Sequence, residues 1–231
     1  MHRWYKSVII IILIFITFIP SSFSQTYNRI EAEFTVKEKK HNGEQQLSMG
    51  HVYYDQHYEK IVYNIYFPEK SKLVMTRDAM ILIENDTVIK RQPASHLVKF
   101  SIFNLSIQGS LAYFGLKQTP FELKDVEQDG EMVISTWELP EDMVESKSKI
   151  MLSQVNKQLQ GIIIFDKNDE IISKQFFENY TTIKGLNFPQ RVVQFSYVEN
   201  GKKNTRITTY KNIKINQTGN EALYNYSIPG N

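Results

Sequence analysis

Apolar and polar residues alternate along most of this chain, beginning with Ile30, Ala32, Phe34 and Val36 interleaved with Glu31, Glu33, Thr35 and Lys37. A period of two marks a β-strand with one dry and one wet face. The pattern returns from Gln46 to Tyr54 and again at Ile61, Tyr63, Ile65 and Phe67, where Pro68 ends the run. Shorter runs follow between Lys72 and Arg91, folded back by turns at Arg77-Asp78 and Asn85-Asp86. Alternation resumes at Phe121 and continues in segments to Ile215, with Asp129-Gly130 and Asn200-Gly201 matching Asn42-Gly43 as tight-hairpin dipeptides. About eleven strands with no helices alternating between them argue against a parallel α/β sheet. The predicted class is mainly β, with α+β character: a strongly curved antiparallel sheet or unclosed β-barrel.

One stretch breaks the rule. From Ser95 to Lys117 the apolar residues Leu97, Val98, Phe100, Ile102, Phe103, Leu105, Ile107, Leu111, Tyr113 and Phe114 cover well over half of a helical circumference. The spacing predicts a central helical insertion with Ser95 as N-cap, Pro93 ending the strand before it, and Gly109 and Gly115 as break and stop. Period alone also allows a buried strand over 98–107. As a helix, the insertion is either a core element or a lid over an apolar hollow.

The first residues read as targeting. His2, Arg3 and Lys6 precede a short apolar run from Val8 to Ile19, and Ser22-Phe23-Ser24 offers small residues for a signal peptidase, giving a signal peptide over 1–24 cleaved before Gln25. Pro20 and the serines end that run short of a membrane span. The expectation is an exported, periplasmic protein whose residues 25–231 form a single domain. Removing 1–24 takes two of the 27 basic residues and none of the 25 acidic ones, leaving 25 of each. A neutral chain has no general pull on nucleic acid. With no cysteine there is no disulfide, thiol nucleophile or lipid attachment of the chain's own.

Candidate chemistry is thin. No Gly-x-Ser-x-Gly, phosphate loop or His-Glu-x-x-His occurs, and the Ser-x-x-Lys string at 146–149 lies in a polar loop without its partner elements. His51, Asp55, His57 and Glu59 form the densest titratable cluster, and Asp166, Asn168, Asp169 and Glu170 resemble a calcium loop lacking its glycine and distal glutamate. A wet strand end and a hairpin turn explain them. No metal, no cofactor and no catalytic residue is expected. Large apolar residues are abundant instead: Phe34, Tyr63, Ile65, Phe67, Met75, Ile81, Ile83, Trp137 and Phe195 recur on the dry faces.

Several fragments resemble the periplasmic lipoprotein carriers of the LolA/LolB type. They are Ala32-Glu33-Phe34-Thr35, Tyr63-x-x-Tyr66-Phe67-Pro68 with the hairpin from Leu73 to Leu82, the central insertion, Phe188-Pro189, and Tyr226-x-Ile228-Pro229. The resemblance implies an unclosed barrel over helices with an acyl-chain cavity between them. It further implies a non-enzymatic monomer that escorts lipids or lipid-modified proteins toward the outer membrane, with inner- or outer-membrane proteins as partners. An envelope stress or lipid sensor, or a structural partner, of the same fold is the alternative. The residues expected around the cavity are Leu97, Phe100, Phe103, Ile107 and Phe114 from the lid, and Phe34, Tyr63, Ile65, Met75, Ile83 and Trp137 from the sheet. Two departures stand out: no long helix precedes the first strand, and the arginine that latches the family's lid has only positional candidates here, Arg77 and Arg91.

Overall fold

The computed structural model describes residues 26–143, 147–198 and 201–230. The expected signal peptide, Gln25 at its cleavage site, Ser146 of the Ser-x-x-Lys string and Asn200 of the last hairpin dipeptide lie outside the described residues.

Thirteen strands form a single sheet: β1 (Arg29–Lys39), β2 (Gln45–Asp55), β3 (Lys60–Phe67), β4 (Ser71–Met75), β5 (Ala79–Glu84), β6 (Thr87–Pro93), β7 (Glu122–Asp129), β8 (Met132–Glu138), β9 (Lys147–Val155), β10 (Gln158–Asp166), β11 (Ile171–Ile183), β12 (Leu186–Tyr197) and β13 (Lys203–Ile215). The count exceeds the expected eleven, and the three short runs between Lys72 and Arg91 pair along their lengths as β4, β5 and β6. All neighbours are antiparallel in the order β6-β5-β4-β3-β2-β1-β13-β12-β11-β10-β9-β8-β7. The first and last strands meet mid-sheet, and β6 and β7, consecutive in the chain, are its two free edges. The sheet curves but does not close.

Alternation assigns the faces. In β1, Ile30, Ala32 and Phe34 are buried on the inner face with Val52 and Tyr54 of β2, while Glu31 points outward. The strand β12 begins at Leu186, directly after Lys184 and Gly185, which make a tight turn with positive φ. Pro189 is tolerated there because β12 pairs with β13 only from Arg191 onward, so one side of the strand is unpaired at the proline.

The insertion is not one helix. Residues 95–100 form turns, α1 spans Ile102–Ile107, and 3-10 turns follow at Leu111–Tyr113 and Leu116–Gln118. The cap is Ser101, whose Oγ accepts from the Asn104 N–H at 3.2 Å, and not Ser95. Gly109 and Gly115, at φ +64° and +68°, supply left-handed bends that end each piece. A straight helix over 95–117 would run about 34 Å and could not follow a curved wall. The bends drop Val98 and Phe103 into one inner cluster with β1, β2, β3, β12 and β13, and Leu105, Leu111 and Leu116 into a second with Trp137, Ile150, Leu152, Ile162 and Phe177.

The outer face has a cover as well. After β13 the chain turns back into a single helical turn, α2 (Glu221–Tyr224), and Tyr224 is fully buried against Tyr53, Val62, Val74, Ile81 and Ile83. Arg29 carries this contact: it ion-pairs with Asp55 and Glu221 and lies 4.8 Å from the Tyr224 ring centroid. Beside it, Glu31 accepts from Lys214 Nζ at 2.9 Å, Asn220 Nδ2 at 3.0 Å and Tyr224 Oη at 3.1 Å.

Candidate ligand-binding cavity

The inner faces of four adjacent strands, β2, β1, β13 and β12, are graded along their length. At one level Gly50, Phe34 and Tyr210 stand side by side; two residues along each strand come Ser48, Val36, Thr208 and Val192; two further come Gln46, Glu38, Arg206 and Gln194. Each step of two residues keeps the same face, so the wall passes from aromatic through small and mixed to charged. The α1 side chains of Ile102 and Phe103 lie over the apolar end, and the space between is a cavity of about 360 Å³ walled further by Tyr63, Ile65, Leu73 and Met75. That volume lies within the usual range of small-molecule sites.

The apolar end is built from interlocked rings. Phe103, 1% exposed, has its ring centroid 5.4 Å from Tyr210, 5.7 Å from Phe188 and 6.1 Å from Tyr54. Phe34 meets Tyr63 edge-on at 5.1 Å, and Gly50 makes this possible: a Cβ there would fall 2.8 Å from the Phe34 ring and 2.3 Å from the Asn64 carbonyl. Burial pushes the phenols of Tyr63 and Tyr210 above their ordinary range. Both therefore face the cavity as neutral groups. Buried Asn104 fixes α1, accepting from Tyr54 Oη at 2.7 Å and donating to the Lys99 carbonyl at 2.8 Å. These bonds satisfy a polar side chain that would otherwise oppose burial.

Of the residues expected around a cavity, Phe34, Tyr63, Ile65, Met75 and Phe103 stand on this wall. Phe100 and Phe114 pack on each other at 6.1 Å over the second inner cluster, and Trp137 is buried within it. Ile107 borders a separate hollow of about 290 Å³ beside Tyr180 and Leu186, and Leu97 is 40% exposed. Ile83 faces the other way: register pairs Val74 with Ile81 and Leu73 with Leu82, so Ile81 and Ile83 take the outer face beneath the C-terminal turn. Ile83, expected at the cavity, is buried instead by the C-terminal turn on the other face. Val36, Leu73, Ile102, Val192, Tyr210 and the charged end were not foreseen. Their signal is the matched descent Phe34-Val36-Glu38 and Tyr210-Thr208-Arg206, visible only once β1 is paired with β13.

Volume alone does not select this site. Hollows of about 380 and 490 Å³ occur elsewhere, the first lined by Asn64, Lys70, Lys72, Asn85 and Asp86, the second by Glu59, Arg77, Asp78, His96 and Lys99. The second is walled mostly by charged and amide groups, which suit water better than an apolar guest, whereas the first adds Ile65, Tyr66 and Ile83 but has no interlocked aromatic rings beneath the insertion. Arg77 pairs with Glu59 in the second of them. In the titratable cluster near the start of β3, Asp55 is occupied by Arg29 and by the N–H groups of His57 and Tyr58 at 2.8 and 3.2 Å. Asp166 likewise accepts from the N–H groups of Asn168 and Glu170, closing a hairpin turn. Among the described residues no group of three or more His, Asp and Glu is placed to hold a metal ion.

No family model matches the sequence and no curated protein does. The solved structures do. A LolA superfamily protein from Nitrosomonas europaea superposes with a TM-score of 0.57 over 86% of this chain and 91% of its own, at 12% identity. The chain shares the fold of that protein. A domain named for outer membrane lipoprotein sorting, from Vibrio parahaemolyticus, gives 0.60 at 9% identity over 86% and 90% of the two chains. A DUF1329 family protein from Desulfovibrio piger gives 0.61 at 12% identity over 89% and 92%. The LolA-like architecture is thus shared along nearly the whole described chain with almost no sequence retained.

Proposed function

We propose that this protein is a non-enzymatic envelope carrier or binder of lipid acyl chains, escorting lipids or lipid-modified proteins toward the outer membrane. The observation that carries the reading is the 360 Å³ cavity between α1 and the inner sheet, aromatic and aliphatic at one end, mixed in the middle and charged at the other. An acyl chain fits such a wall through burial alone, at about 0.8 kcal/mol per methylene before ordering costs. The fold supports the same reading, since one structure that shares it is named for lipoprotein sorting. In this reading residues 1–24 direct export to the periplasm and are removed before Gln25, and residues 25–231 act as one domain. Leu97 and Phe100, on the more exposed part of the insertion, are where the lid would first lift.

Lipid extraction and mass spectrometry of protein purified from its native envelope test the proposal. Stoichiometric recovery of an acylated molecule is the expected result. Repeated recovery of none, with no binding of an environment-sensitive fatty-acid probe, would remove it.

A further inference from the structure

We infer that the cavity takes an anionic amphiphile and that Arg206 holds its head. The inference rests on the acyl-chain reading above and adds the chemistry of the polar end. Arg206 stands on the same inner row as Glu38, Gln46 and Gln194, two steps along the strands from the aromatic level of Phe34 and Tyr210. A tail lying among Phe34, Tyr63 and Phe103 therefore places its head at this row and nowhere apolar.

The row is built to bind an anion by exchange. Arg206 Nε and one terminal nitrogen both contact the same oxygen, Glu38 Oε1, so the guanidinium fork is not matched oxygen for oxygen. A carboxylate or phosphate arriving from the cavity offers the two-oxygen geometry that Arg prefers. The Arg206 side chain is 58% exposed, and an ion pair that open to water is weak and readily replaced. Gln46 and Gln194 flank it with amide donors. Beyond the row a smaller hollow of about 220 Å³ shares Glu38, Gln194 and Arg206 with the cavity and adds Lys39 and Lys40, the latter paired with Glu44 at 2.9 Å. The buried, neutral phenols of Tyr63 and Tyr210 add no competing charge at the apolar end.

Carboxylate and phosphate heads share this chemistry, and one set of titrations separates them. Laurate, dodecyl phosphate and dodecanol carry the same tail and are titrated into the purified full chain by displacement of a fluorescent apolar probe. One or both anions should bind about tenfold tighter than dodecanol, the size of one charge-assisted contact. Whichever anion shows the larger gain identifies the head. Arg206→Gln should abolish the gain while leaving dodecanol unchanged, and Glu38→Gln should increase it by removing the competitor. Equal binding of all three by the parent protein overturns the assignment of the head while leaving the acyl-chain reading intact, as does a gain that survives Arg206→Gln. Failure of every ligand, dodecanol included, overturns both.

Discussion

The two covers on this sheet, one on each face of the same strands, pack in opposite ways. Inside, the insertion spans the wall in short pieces and leaves a hollow; outside, one helical turn seats a tyrosine with no exposed surface and fastens it with charge. The lid is tied down by a few polar contacts, Asn104 to Tyr54 and Gln154 to the Ala112 carbonyl among them. The tail is held by Arg29, Glu31, Asn220 and Glu221 converging on Tyr224. Alternation along a strand decides which residues leave water, but the cover decides whether they meet a close-packed partner or a space.

The contrast is sharpest in truncation. Replacing Tyr224 with Ala removes a fully buried ring and a bond to Glu31 and is expected to cost about 3–5 kcal/mol in urea unfolding. Met75→Ala, at a wall that already borders empty space, should cost about 1 kcal/mol, because little new cavity is created. Equal losses would mean that the inner wall is as tightly filled as the outer one, and the distinction would fail.

Gly50→Ala comes next, with an expected loss of about 1–3 kcal/mol, since the added methyl must displace either the Asn64 carbonyl or the Phe34 ring. If the ring yields, it swings into the cavity, and probe binding should weaken by more than the change in stability explains. Unchanged stability and binding would show that the close approach does not persist in solution.

A third, smaller effect separates the covers by pH. Burial pushes the Glu31 carboxyl up, but hydrogen bonds from Lys214, Asn220 and Tyr224 outweigh it and hold the group below its ordinary value of 4.5. The bond from Arg29 does the same for Glu221. In the acid range the folded state therefore binds fewer protons than the unfolded one, so the stability these groups contribute is complete above about pH 4.5 and is lost as pH falls through their lowered values. Hydrogen exchange from pH 6 down to 3 should show residues 221–228 losing protection before α1 does. Simultaneous loss would indicate that the charges do not fasten the tail.

Much of the sheet was legible because its signals are local. The dry row of β1, the face of Tyr63 and Ile65, and the turns at Gly43 and Gly130, both with positive φ, follow from residues next to one another in the chain. Even β7, exposed at every position, was foreseen from its alternation and the Asp129-Gly130 turn. The outer cover was not, because α2 is too short for any period to show and its fastening joins Arg29 to Glu221 across almost the whole chain. The insertion was foreseen as apolar and broken by glycines, but not that it serves two separate clusters, which depends on how the sheet bends beneath it. The cavity's graded wall required a register between the first and last strands, information that neither strand holds alone.

The free edges β6 and β7 are joined directly by residues 94–121, the stretch that also roofs the cavity. The roof is thus suspended from both lips of the gap in the sheet. A strap anchored at both ends has no free tip to swing, so the roof can lift only by bending within itself or by moving with β6 and β7.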